Sequence, residues 1–165
     1  MNLYALWYRF DANEWIVTLA AAGLVGLLFL LPKRFPVSVT IAFLLAGTAS
    51  ARLADVLFFP YDLYDVMDQP KHNLHDLILY TFVYSVYVYL FCYFYDKWRL
   101  RGWRQAIHLA VWVGISVLLE GIGVLTQIFT YKEWSLLNSA TVYLVAYFLY
   151  AGLVNLVVRS ERKLQ

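Results

Sequence analysis

Long apolar runs, each near 20 residues, alternate along this chain with short polar breaks. A helix of roughly 20 residues crosses the ~30 Å hydrocarbon layer of a bilayer. The runs predict helices over about 15–31, 35–59, 74–95, 106–129 and 134–158. The breaks carry the matching punctuation. Pro32-Lys33-Arg34 ends the first run, Pro36 suits the first turn of the second, and Pro60 stops it. Asn73, with Asp76 three residues on, reads as the N-cap of the third. Residues 1–13 hold Leu3, Tyr4, Leu6, Trp7, Tyr8 and Phe10, a pattern suited to an interfacial segment. The expected fold is all-α: one polytopic membrane domain over 1–165 with five transmembrane helices, among which no internal repeat is visible.

Charge adds an orientation. Lys33, Arg34, Lys97, Arg99, Arg101, Arg104, Arg159, Arg162 and Lys163 fall on one side of the five spans, which is nine of the thirteen Lys and Arg. The other side keeps Arg9, Lys71 and Lys132. By the positive-inside rule the basic side is cytoplasmic, so the N-terminus lies outside and the C-terminus inside. Composition agrees with the class: 62% of residues are hydrophobic and 15% charged, against about 25% charged in ordinary soluble domains. Acidic residues precede the first apolar run and no basic n-region does, so that segment is not read as a secretory signal. Cys92 is the only cysteine, which excludes an intrachain disulfide and a cysteine metal site.

Charges inside the spans mark the interior. Arg52 and Asp55 stand three residues apart on one face of the second helix, and Glu120 sits in the fourth. A charge well inside a bilayer costs roughly 2.5–3.5 kcal/mol on insertion scales, so it is expected to face protein or water and to have a partner. Counting residues from the helix ends places Arg52 and Glu120 at similar depth in the outer half. We expect Arg52 to bridge Glu120 and Asp55 in a buried salt bridge, with Gln127, Asn138 and helix-three tyrosines such as Tyr84 closing the network. Small residues should let helices approach: Ala20-Ala21-Ala22-Gly23 and the Ala22/Gly26 pair on helix one, and the rows Ala46/Ser50/Ala54 and Gly47/Ala51 on helix two. The tyrosine rows Tyr80/Tyr84/Tyr87, with Phe91, and Tyr143/Tyr147/Tyr150 suit either a polar cavity or a packing surface.

Two readings of the charged cluster stay open. It is either structural cement between helices or a site in which a carboxylate or arginine handles an ion or ligand. The outer acidic loop, with Asp62, Asp65 and Asp68, fits no EF-hand spacing, and His72-Asn-Leu-His75 fits no zinc motif, so no metal is expected. His108 reads as an interfacial histidine. No H-E-x-x-H, G-x-S-x-G or phosphate-binding glycine loop occurs, so no catalytic residue and no cofactor is assigned. Lys97, Arg99, Arg101 and Arg104 point to anionic lipid headgroups rather than nucleic acid.

Several stretches together carry a family likeness. They are Pro32-Lys33-Arg34, Asp55 with Pro60-Tyr-Asp-Leu-Tyr-Asp65, the Tyr-rich third helix ending Tyr95-Asp-Lys-Trp98, and Glu120 followed by Thr126 and Tyr131-Lys-Glu-Trp134. This pattern resembles a family of small, uncharacterised multi-pass membrane proteins from spore-forming Firmicutes of the Bacillus and Clostridium kind. The resemblance implies a bacterial plasma membrane location and about five spans, and brings no activity with it. The functional expectation is a non-enzymatic membrane subunit or binding module in the lipid bilayer, acting alone, as a homo-oligomer or with a membrane partner protein. The alternative is a small transporter or ion or proton conductor using Arg52, Asp55 and Glu120. An intramembrane enzyme ranks third.

Overall fold

A computed structural model of the protein describes residues 12–66 and 74–164. Residues 1–11, Asp68, Lys71, His72 and the proposed Asn73 cap lie outside the described residues. Five helices are long and apolar enough to cross a membrane. They are α1 (Ala12–Leu30), α2 (Val37–Phe58), α3 (residues 74–97), α4 (Trp103–Leu125) and α5 (Leu136–Leu164). Leu, Val, Ile and Phe side chains stand exposed along their outer faces, among them Phe29, Leu53, Leu118 and Phe148. That inversion of a soluble surface fits lipid contact.

The ends follow local chemistry. The Pro36 carbonyl accepts the first helical bond of α2, from Thr40 at 3.0 Å. α4 begins at Trp103, three residues before the expected start, because Gly102 adopts φ +56° and ψ −133°, a conformation open only to glycine, and turns the chain straight into the helix. Its other end comes at Leu125 rather than 129. Ile128 N–H bonds Gly123 C=O at 2.8 Å and Gln127 N–H bonds Val124 C=O at 3.2 Å. These are the two bonds of a Schellman motif, with Gln127 in the left-handed position at φ +60°. α3 stops the same way, with Leu100 N–H on Tyr95 C=O and Arg99 at φ +48°.

One architectural feature has no counterpart in the sequence reading. β1 (Tyr64–Val66), after α2, pairs antiparallel with β2 (Phe129–Tyr131), after α4, and sets Tyr64 opposite Tyr131. Strands of three residues are too short to show an alternating pattern. The hairpin-like pair ties the α2–α3 connection to the α4–α5 connection at one end of the bundle, opposite the basic end.

α3 is the central helix. Over its apolar window 56% of residues are buried, against 11–28% for the other four spans. Between two α-helical segments, Leu74–Ile78 and Ser85–Lys97, it runs as a π-helix over Leu79–Tyr84. The extra residue per turn there swings the following face, and such bulges recur at functional sites. α2 approaches at that point through Gly47. A Cβ on Gly47 would stand 2.7 Å from Ser85 Cα and 2.9 Å from the Tyr84 carbonyl oxygen.

Only part of the small-residue patch of α1 serves the close packing expected of it: Ala21 is buried in the bundle. Ala22, Gly23 and Gly26 are exposed, and an added Cβ at either glycine meets nothing within 4 Å. Composition cannot say which way a small-residue face is turned. The tight core lies toward the basic end, around Phe43, Phe91 and Cys92, all fully buried. His108 belongs there too, rather than at the interface: it is buried among the rings of Phe91, Tyr95, Trp98 and Trp112. At the basic end Arg34 binds the Asp96 carboxylate at 2.6 Å and its carbonyl at 2.9 Å, pinning the α1–α2 loop to the end of α3.

Candidate functional site

Between the tight core and the strand pair the five helices line a half-open cavity of about 440 Å³. That volume falls within the roughly 300–1,000 Å³ of small-molecule sites. Its walls are mainly apolar, with Val17 and Leu24 of α1, Ala51 of α2, Val88 of α3 and Ala146 of α5 among them. The rows Ser50/Ala54 and Gly47/Ala51 of α2 face it, as do all three tyrosines of the Tyr80/Tyr84/Tyr87 row. Tyr80 and Tyr84 stack with ring centroids 5.9 Å apart.

Two carboxylates line this space near the strands, Asp55 from α2 and Glu120 from α4. Each is held by one of the facing strand tyrosines. Tyr64 donates to Asp55 Oδ1 at 3.1 Å, and Tyr131 donates to Glu120 Oε1. Burial, and then the neighbouring Asp55 charge, push the Tyr64 phenol above its ordinary value; burial, and then the bond to Glu120, do the same for Tyr131. Both phenols therefore stay protonated and remain donors. Glu120 Oε1 also accepts from Ser139 at 2.6 Å, and Ser139 accepts from the Trp134 indole at 2.7 Å. Glu120 Oε2 is buried away from the cavity without a donor in full hydrogen-bond geometry, and the Tyr143 phenol stands beside the same carboxylate. A second polar layer lies deeper and is self-contained: Ser50 bonds Tyr150, and Ser116 bonds Tyr147 at 2.5 Å.

The predicted cluster is thus regrouped. Arg52 bridges neither carboxylate: its guanidinium lies over the Tyr80 ring, 4.0 Å from the centroid, and it is absent from the cavity lining. Asp55 is one turn further along α2 and about 60° further round than Arg52 on an ideal helix, which is enough to put one residue on the cavity and the other beside it. Gln127 is exposed, because the chain has left the helix before reaching it. Asn138 is exposed as well; the inward face of α5 is Ser139, Tyr143, Tyr147 and Tyr150, not Asn138 and Thr141. Tyr84 lines the cavity and stacks on Tyr80. In the acidic loop, Lys132 pairs with Asp62 at 2.7 Å and Asp65 at 3.1 Å, so these aspartates brace the strand pair. Among the described residues no group of three metal-ligating side chains occurs.

Ser139, Tyr64 and Tyr131 are the site residues sequence reasoning missed. Ser139 was findable, since it extends the Tyr143/Tyr147/Tyr150 row by one turn. The two tyrosines depend on strand register, which no local signal shows.

These contacts make a double-mutant prediction. Glu120→Gln and Tyr131→Phe should couple by about 0.5–3 kcal/mol, as residues sharing a hydrogen bond do. Arg52→Ala and Glu120→Gln should add within ~0.5 kcal/mol. Reversible unfolding in mixed micelles measures both cycles, and strong Arg52–Glu120 coupling with none at Tyr131 would contradict the geometry.

The fold and site define a polytopic all-α membrane bundle with an internal acidic cavity. Compared with models of known families, with curated proteins and with solved structures, the chain matches none.

Proposed function

We propose that this protein is a non-enzymatic membrane binding module whose ligand occupies the cavity beneath the strand pair. The observation that carries the reading is a pocket of about 440 Å³ lined by all five helices, mainly apolar, with Asp55 and Glu120 on its wall near the strands. The strand pair faces outside and the basic end the cytoplasm, in keeping with the charge bias of the loops. Lys97, Arg99, Arg101 and Arg104 are exposed there beside Trp98 and Trp103, a surface suited to anionic headgroups. A bacterial plasma membrane location accords with the family resemblance.

Transport or ion conduction through Arg52, Asp55 and Glu120 is less well supported. The core around Phe43, Phe91 and Cys92 fills the bundle between the cavity and the basic end, and Arg52 lies off the lining. A subunit role draws on the exposed Ala22, Gly23 and Gly26 face of α1, where a second helix could pack closely.

A photoreactive diazirine derivative of dodecanol, in phosphatidylcholine nanodiscs, tests occupancy. Labelling should map to cavity residues such as Glu120 and Tyr143 and be suppressed by excess dodecanol. Ala51→Phe, which fills the wall, should abolish it. Labelling confined to lipid-facing positions would refute the binding reading.

A further inference from the structure

We propose that the cavity takes up an acyl chain of a bilayer phospholipid, which enters sideways between α1 and α4 from the leaflet at the strand-pair end. This rests on the cavity being a ligand site, and it names the occupant and the door.

The lining locates the door. A residue that lines the cavity and is also exposed stands on its rim. Among the described residues that is true of Ala20 on α1 and of Leu119 and Ile122, one turn apart on α4. α1 packs on α3 and α4 packs on α5, but α1 and α4 do not pack along each other. On the other side, α2 and α5 are bridged at both ends of the gap between them. The Ser50–Tyr150 bond closes one end, and the Phe58 and Trp134 rings, 4.8 Å apart, close the other. Between those bridges the lining residues Ala51, Ala54, Val142 and Ala146 are half-buried. The strand pair roofs the space: Val17, Leu79 and Ile128 form a buried cluster on which Val66 and Phe129 pack.

The depth of the door selects lipid. At the helical rise, Ala20 lies about 12 Å along α1 from Ala12, and Leu119 about 9 Å along α4 from Leu125. At that depth in spans of bilayer length, a side opening meets hydrocarbon chains rather than water.

The wall then sets the chemistry. Its carboxylates are engaged within the protein. Asp55 accepts from Tyr64 and has the Tyr80 phenol beside it; Glu120 accepts from Tyr131 and Ser139 and has the Tyr143 phenol beside it. The deeper hydroxyls of Ser116 and Tyr147 pair with each other. What remains open to an occupant is the hydrocarbon of Leu24, Ala51, Val88 and Ala146. An apolar space left empty forfeits contacts on every wall, and the tails at the rim are abundant enough to fill it by mass action. From Gly47 to Phe58 the lining of α2 extends about 16 Å, room for one chain lying lengthwise. The headgroup, to which the satisfied wall offers no partner, stays at the interface.

A phosphatidylcholine carrying a diazirine midway along one acyl chain, diluted into phosphatidylcholine nanodiscs, tests this on the wild-type protein. Labelling should map to Val88 and Tyr147, buried and on the lining, as well as to lipid-facing Leu118. Ala20→Phe combined with Leu119→Phe narrows the door from two exposed positions. It should lower interior labelling about tenfold relative to Leu118. Val145→Phe, at an exposed position on α5, should leave it unchanged. Ile122→Phe, on the same rim, is the second door variant if the first does not fold. Interior labelling that survives in a folded door variant would overturn the lateral entry. Labelling by this lipid at Leu118 alone, with interior labelling by the diazirine dodecanol probe, would overturn the phospholipid chain while leaving the cavity a site for a free single-chain amphiphile. No interior labelling by either probe would remove both readings.

Discussion

Replacing Phe91 by alanine is expected to be among the most damaging single changes in the bundle, at about 3–5 kcal/mol. The ring is fully buried in the central helix, with centroids of His108, Trp112 and Tyr147 at 5.0, 5.8 and 4.7 Å. In a membrane the gain from excluding water between helices is absent, so packing contacts carry the association. Deleting the ring removes contacts from α3, α4 and α5 together, and rigid neighbours cannot collapse into the gap. Leu118→Ala provides the control: that side chain is 70% exposed, faces lipid, and should change stability by ~0.5 kcal/mol or less. Equilibrium unfolding of both variants in mixed micelles measures the contrast. A Phe91→Ala cost no larger than that of Leu118→Ala would mean the aromatic core does not hold the helices together.

Gly47→Ala should also destabilise, by about 1–3 kcal/mol, although alanine is intrinsically the better helix former by roughly 1 kcal/mol. The sign is decided by what the new methyl meets. Its neighbours at 2.7 and 2.9 Å are backbone atoms of Ser85 and Tyr84, which cannot rotate aside. α2 would have to move away from the π-helical turn of α3, and with it Ser50 and Ala51, which line the cavity beside Gly47. Gly23→Ala is the matching control: nothing lies within 4 Å of its added Cβ, so only helix propensity acts and stability should hold or rise. Thermal unfolding of the pair in one detergent suffices. Equal behaviour of the two variants would remove the close approach at Gly47.

How much of this could be read without coordinates differs residue by residue. The five helices were legible because runs of apolar residues near bilayer length leave few other structures open. Tyr80, Tyr84 and Tyr87 were legible as one row because helical spacing alone groups them. Asp55 and Glu120 stood out because ionisable groups are rare in such runs. Arg52 shows the limit. Depth can be counted along a helix, but partner choice turns on rotation about its axis, and α2 is rotated so that Asp55 meets the cavity while Arg52 meets the Tyr80 ring. Gln127 was misplaced for a different reason: the Schellman turn after Leu125 uses a non-glycine residue at positive φ, which hides the helix end from residue type.

What the amino-acid order determined by itself was the set of spans, the sorting of basic residues to one side and the identity of the rare polar residues within the apolar runs. These depend only on local length, hydrophobicity and charge. Tertiary structure decided the rest: the π-turn that brings α3 against Gly47, the facing of Tyr64 and Tyr131, and the bonds from those tyrosines to the two carboxylates. Strand register and helix rotation are set by long-range packing of the whole bundle, and no short window of residues encodes them.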